Sequence, residues 1–333
     1  MANRQSVFSA IALASLVACA SAGTPAAPPL VPIGTAPQTA LERALFVAAS
    51  PAPNASQNAR PGWLTPAAAL GTYLIYGATG DHVTLFPKRG FNPQPVGELS
   101  EGVTAAYGLF VDRDKDLYVT NWIGNKVCVY PRGAAAPKIT YSNGLDRPLY
   151  AVADAHNVYV GNANNGKIVV FQKGSTTPIA TFTTFGVEVD GLAFDKAGDL
   201  YAAYRRSDDR NNGGVEYFRP PSSQGTDLGI NVTAPQGIVV DDAGNLLLAE
   251  TEGADRVDIF PPGATTPSAV ALIPETPTQI QLGRRDRMLY ISSLGHVVYI
   301  TRYPGPAKVE VKIHNSLGDL QGLAVSPPGE LHR

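Results

Sequence analysis

A short apolar strand that closes on an aromatic residue recurs six times in this chain, at Phe86, Tyr130, Phe171, Phe218, Phe260 and Tyr303, in steps of 41 to 47 residues. A second mark keeps the same period: short apolar strands begin at Gly108, Leu149, Gly191, Gly237, Ile280 and Gly322, and glycine opens four of these six. A unit of this length, made of several short strands, cannot bury both of its faces alone and must stack on neighbours. The order inside one unit follows from its residues: strand A over 108–112, a turn over 112–116, strand B over 117–121, strand C over 126–130 and strand D over 137–141. Asp195-Lys-Ala-Gly-Asp199 and Asp241-Asp-Ala-Gly-Asn245 supply an aspartate to cap the A–B turn and a glycine that accepts positive φ. Pro131-Arg-Gly133, Pro261-Pro-Gly263 and Pro304-Gly305 end strand C, because proline removes a ladder donor.

The two marks are out of step at the ends of the array. The aromatic strand first appears at Phe86, before any glycine-led strand, and the glycine-led strand appears last, at Gly322. The array therefore begins on strand B and ends on strand A, so residues 322–331 are expected to complete the blade begun at about 72–100. This predicts an all-β fold: a six-bladed β-propeller of four-stranded antiparallel blades, its ring closed by pairing the N- and C-terminal strands, which leaves no open edge at the seam.

The 44% hydrophobic content is enough for a large core. With 16% charged residues, a net charge of −2 and no lysine or arginine cluster, nucleic acid is not an expected partner. The two cysteines, Cys19 and Cys128, exclude a disulfide framework. At the N-terminus Arg4 precedes an apolar run from Val7 to Ala18, of signal-peptide length and too short to span a bilayer. Leu16-Val17-Ala18-Cys19 resembles a bacterial lipobox, which implies cleavage before Cys19 and its lipidation; the alternative is the A-x-A site Ala20-Ser21-Ala22, which would release a soluble protein. The expected division is a signal peptide over 1–18, a lipidated cysteine with an Ala/Pro-rich tether over 19–69, and the propeller over 70–333.

The segments Gly191-Leu-Ala-Phe-Asp-Lys-Ala-Gly-Asp-Leu-Tyr and Gly237-Ile-Val-Val-Asp-Asp-Ala-Gly-Asn-Leu-Leu-Leu resemble the NHL-repeat and gluconolactonase-like six-bladed propellers, over about residues 70–333. That resemblance covers binding modules, lactonases and lyases alike. Strand A is innermost and strand B runs antiparallel to it, so the starts of A and the ends of B share one face, here the upper face. Asp190, Gln236 and Gln321 fall at the starts of A, and Asn121, Asn162, Tyr204, Glu250 and Ser293 at the ends of B, an expected polar ring around the channel mouth. In gluconolactonase-like enzymes a Ca²⁺ or Zn²⁺ ion on this axis is held by Glu, Asn and Asp. The resemblance therefore marks Asp190 and Glu250 as candidate metal ligands, with Asn121 and Asn162 beside them. The chain departs from that pattern where Gln236 precedes Gly237 in place of Asn, and where no acidic residue stands near position 77.

Asp112-Arg-Asp-Lys-Asp116 opens like an EF-hand loop, but Leu117 and Ile123 occupy the positions of its glycine and bidentate glutamate, so a hairpin turn is expected. The five histidines are not spaced as zinc ligands, and His296 leaves a lyase base as a minor alternative. No Gly-x-Ser-x-Gly elbow occurs. The longest B–C connection, Arg205 to Gly214, carries three arginines on the upper face. The reading is a monomeric, exported, membrane-anchored propeller without a cofactor, binding a protein or small-molecule ligand at the cell envelope. The alternative is a metal-dependent lactonase or esterase.

Overall fold

The computed structural model describes residues 62–70, 73–207, 211–251, 255–304, 309–314 and 317–326. Cys19, the expected signal peptide and most of the expected tether lie outside these residues. Blade one holds β1 (Trp63–Leu64), β2 (Leu74–Ala78), β3 (Val83–Pro87) and β4 (Gly97–Leu99); blade two holds β5 (Ala106–Val111), β6 (Leu117–Asn121), β7 (Lys126–Tyr130) and β8 (Ile139–Tyr141). Blade three runs through β9 (Pro148–Ala153), β10 (Asn157–Asn162), β11 (Lys167–Gln172) and β12 (Pro178–Thr183). Blade four has β13 (Glu188–Phe194), β14 (Leu200–Arg205), β15 (Asn212–Phe218) and β16 (Gly225–Asp227), with β17 (Val232–Thr233) also on β15. Blade five is β18 (Pro235–Val240), β19 (Leu246–Glu250), β20 (Arg256–Phe260) and β21 (Ala269–Leu272). Blade six is β22 (Pro277–Leu282), β23 (Met288–Ser293), β24 (Val297–Arg302) and β25 (Val309–Ile313). The last strand, β26 (Gly322–Ser326), pairs antiparallel with β2 from Leu74↔Ser326 to Ala78↔Gly322, and so supplies the innermost strand of blade one and closes the ring.

The first blade starts earlier than expected. Residues 63–69, read from sequence as the end of a tether over 19–69, fall in β1, on the outer edge of β4, and in a short helix, α1 (Pro66–Leu70). Proline-rich composition hid this segment, whose anchor is local packing: Ala68 is buried, and a Cβ on Gly133 of blade two would run into the carbonyl oxygen of Ala69.

The core consists of the layers between blades, and this explains both sequence marks. Each aromatic that closes strand C packs on the preceding blade. Phe86 shares a buried cluster with Tyr290 and Val298, Tyr130 with Leu85 and Leu99, Phe260 with Val215 and Ile230, and Tyr303 with Leu247 and Val257. The Phe171 ring lies 4.9 Å from that of Tyr141, and Phe218 5.3 Å from Phe182. Truncating such a ring to alanine costs about 3–5 kcal/mol. The glycines that open strand A are needed for another reason: at the axis the innermost strands come too close for side chains. A Cβ on Gly191 would sit 2.6 Å from the Gln236 carbonyl oxygen of the next blade, and one on Gly237 2.8 Å from Ile280 N.

At the lower face the A–B turns are aspartate-capped hairpins, as expected. Asp112, Asp195 and Asp241 each accept, through Oδ1, the backbone N–H four residues on, at 2.9, 2.9 and 2.7 Å. Tyr118 and Tyr159, on the B strands of blades two and three, donate to Asp112 and Asp154 at 3.2 and 3.0 Å. Lys173 from blade three reaches Asp112 at 2.8 Å, and Lys138 pairs with Asp116, so the run of three aspartates is cross-linked by ammonium groups.

Candidate functional site

The ends of the B strands carry a repeated clasp. Asn121 Oδ1 accepts from Thr104 N at 2.5 Å, Asn162 Oδ1 from Asp146 N at 3.1 Å, and Glu250 Oε2 from Thr233 N at 2.9 Å. In each case the donor lies two residues before the innermost strand of the same blade. Ser293 makes the equivalent link by donating to Glu275 at 2.8 Å. The amide nitrogens of Asn121 and Asn162 donate to the carbonyls of Val119 and Gly144. These four residues are buried, and their polar atoms tie the loop that enters strand A. Tyr204 is also buried, and burial pushes its phenol up to about 12, with Asp227 adding to the shift. Gln321 is half-buried, and its N–H donates to Ala78 O at 3.0 Å.

Further in, side chains bridge the axis. The Tyr107 hydroxyl of blade two donates to Gln236 Oε1 of blade five at 3.0 Å, and the Tyr150 hydroxyl of blade three to Thr278 O of blade six at 3.3 Å. Gln279 accepts from Leu109 N and Leu323 N at 3.1 and 2.9 Å, and donates to Leu109 O at 2.7 Å. The Tyr107 and Tyr150 rings meet edge to face at 5.9 Å. Gln236 is thus brought into a cross-ring contact. Tyr107, Tyr150 and Gln279, which sequence reasoning missed, are its neighbours. A signal was present: Tyr150 and Gln279 stand where blades one, two, four and five have glycine, and the glycines beside them leave the room their side chains fill.

The two candidate metal ligands are placed apart in role. Asp190 Oδ2 accepts from Arg205 Nε at 2.9 Å, both groups being buried. Glu250 Oε1 accepts from Arg256 at 3.3 Å, while Arg256 also contacts Asp258 at 2.9 Å. Burial first, and then Asp258, push the Glu250 carboxyl up to about 7. Among the described residues, three acidic side chains close enough to share a cation occur at Asp112, Asp114 and Asp116, the lysine-linked turn, and not at Asp190 or Glu250. Arg205 holds Asp190 Oδ2, Arg256 and Thr233 N hold Glu250, and backbone N–H groups hold the amide oxygens of Asn121 and Asn162. His296 lies 3.6 Å from Asp319 at the exposed end of blade six. Cys128 is buried, its thiol pushed up by burial and donating to Gly102 O at 3.3 Å.

The outward side of the upper face is different. In the B–C loop of blade two, Ile123 is 45% exposed, and Arg147 stacks on Trp122 at 5.0 Å. Asn125 Oδ1 accepts from Arg147 N, and Asp146 accepts from Asn164 in blade three, so these loops are joined. Thr184 bonds Gly166 of blade three, and the next residue, Phe185, is 63% exposed. In the arginine-rich loop Arg205 is a strand residue, Arg206 bonds Asn231 at 2.7 Å, and residues 208–210 lie outside the described residues.

The fold defines a six-bladed β-propeller protein. Neither the family models nor the curated proteins compared with the chain give a match. Among solved structures, a propeller in the crystal structure of a nidogen/laminin complex is similar over 77% of this chain and 98% of its own, with a TM-score of 0.66 and 19% identity. Hydrazine synthase of Kuenenia stuttgartiensis is similar over 71% of this chain and 74% of its own, with a TM-score of 0.50 and 17% identity. At these identities the likeness is one of fold.

Proposed function

We propose that this protein is a binding or scaffolding propeller of the cell envelope, meeting a protein partner through the upper-face loops of blades two to four. One observation carries the reading. Asn121, Asn162, Gln236, Glu250 and Ser293 are engaged inside the protein, while Ile123, Arg147 (stacked on the half-buried Trp122) and Phe185 are exposed on loops braced to one another. Exposed aromatic and arginine side chains on a rigid scaffold are the residue types that anchor protein interfaces. The similar propeller of the nidogen/laminin complex, which comes from a protein assembly, supports the same reading.

The test is site-specific photo-crosslinking in intact cells, with the crosslinker at position 123 or 185 and, as control, at Lys196 on the lower face. Adducts from the upper positions alone are expected; equal adducts from all three, or none, would sink the reading. Export and anchoring rest on the N-terminal pattern ending in Cys19. Cys19→Ala is expected to release the protein from membranes, with retention the contrary result. The NHL-repeat and gluconolactonase resemblance rests on the glycine-led segments at 191 and 237. Its enzymatic form, a metal-dependent lactonase using Asp190 and Glu250, predicts heat on calorimetric titration with Ca²⁺ or Zn²⁺ and loss of activity on chelation.

A further inference from the structure

Glu216 lies on β15 two residues before Phe218, the position held by Cys128 in blade two and Val169 in blade three. It is completely buried in the layer between blades three and four, beside Phe218 and the loop that leads from β12 to β13. Cys128 and Glu216 do the same geometric job. Each reaches the loop entering its own blade, at the residue six before the glycine of strand A: Cys128 at Gly102, and Glu216 at Phe185, whose N–H donates to Oε1 at 3.2 Å. The second oxygen, Oε2, is buried without a protein hydrogen-bond partner.

We propose that Glu216 is a proton-controlled anchor: protonated, it holds the Phe185 corner of the upper face against blade four, and on ionisation it lets that corner go. The step is loss of the carboxyl proton to water. In the acid form Oε1 is a carbonyl acceptor for Phe185 N, and the group is neutral, as its surroundings require. In the ionised form the carboxylate has one backbone donor. The charged or titratable groups around it are Asp227, its partner across the β15–β16 ladder, and Tyr204 on β14. The blade-three side presents Phe182, and on β14 the Arg205 guanidinium is held by Asp190. A buried carboxylate facing another carboxylate must reach water, and the residue bonded to it, Phe185, is 63% exposed. The release is local, since Thr184 N to Gly166 O and Val187 N to Arg205 O hold the loop on either side. Burial raises the carboxyl most, the Phe185 N–H bond works against it by favouring the carboxylate, and Asp227 adds a smaller rise, leaving it at about 8; the cost of burying the charge outweighs the stronger bond, so the change falls in the neutral to mildly alkaline range. The clasps on Asn121 and Asn162 hold equivalent loops through neutral amides, which do not titrate. The inference stands whether or not the upper face binds a partner.

Residue-resolved amide exchange of the full chain at pH 6 and pH 9, corrected for intrinsic rates, tests it. Protection of the Phe185 amide is expected to fall about tenfold or more, while Asp146 and Thr104 keep theirs. In Glu216→Gln, Phe185 is expected to keep its protection at both pH values. Equal protection at both pH values in the wild type, or the same loss in the variant, overturns the proposal. If the variant does not fold, carboxyl ¹³C titration of Glu216 in the wild-type protein decides: a midpoint above about 6 supports the anchor, and one below it removes the switch.

Discussion

The Tyr107 hydroxyl reaches across the ring to Gln236 Oε1 at 3.0 Å, joining two innermost strands 129 residues apart. Blades two and five face each other over the axis, so this bond spans the space that the glycines of strand A leave open. Tyr107→Phe removes the donor and keeps the ring. The expected loss is about 1 kcal/mol, read as a fall of about 2–4 °C in the melting midpoint, with the fold unchanged by circular dichroism.

The glycines divide into two kinds, which should behave differently. Gly237→Ala puts a Cβ against backbone atoms of blade six and should cost more than about 3 kcal/mol or prevent folding, since two innermost strands must separate. Gly263→Ala meets nothing within 4 Å and strains only a φ of 74°, a cost of about 1 kcal/mol. Urea unfolding of both variants checks the order.

The asparagine clasps predict stability rather than activity effects. Asn162→Ala leaves Asp146 N and Gly144 O without their partner and should lower stability by about 1–3 kcal/mol. Asn162→Asp should be no better, because it loses the donor to Gly144 O and buries a charge. Denaturant midpoints of the two variants provide the measurement.

Glu216 sets a direction for pH dependence. Its carboxyl is raised by burial from an ordinary 4.5 to about 8, so between those values the folded protein holds a proton that the unfolded chain has released. Its stabilising contribution is therefore complete below about pH 4.5 and fades as pH rises to about 8, by on the order of 2–4 kcal/mol. The urea midpoint of the wild type should fall across this window, and that of Glu216→Gln should fall less. A parallel slope in both would assign the effect to other groups.

Closure at the seam makes a last prediction. Removing residues 322–333 deletes β26, uncovers β2 and strips Leu323 and Val325 from the layer against blade six. The truncated chain should elute as aggregate on gel filtration, because an unpaired inner strand is a template for another chain.

Much of this architecture was legible because its causes repeat. Strands B and C of blade two are found at the expected 117–121 and 126–130, since a five-residue apolar strand between turns has one way to sit on the layer beside it. Strand A begins at Ala106 rather than Gly108, where the ladder shifts register between Ala106 and Leu109, an irregularity that alternation alone does not signal. The polar ring was legible as residue types at strand ends but not as roles: Asn121, Asn162, Glu250 and Ser293 turn to the loop of their own blade.

By itself the sequence determined the number of blades, the order of their strands and the seam at β26. Those depend on local periodicity and on which strand type comes first and last, both written along the chain. Only the tertiary structure decided that Tyr107 finds Gln236, that Tyr150 and Gln279 fill the room left by neighbouring glycines, and that Glu216 is sealed from water. Each of these is a contact between residues far apart in the chain, set by how closely six strands converge on one axis, and a distance of that kind has no signature in local order.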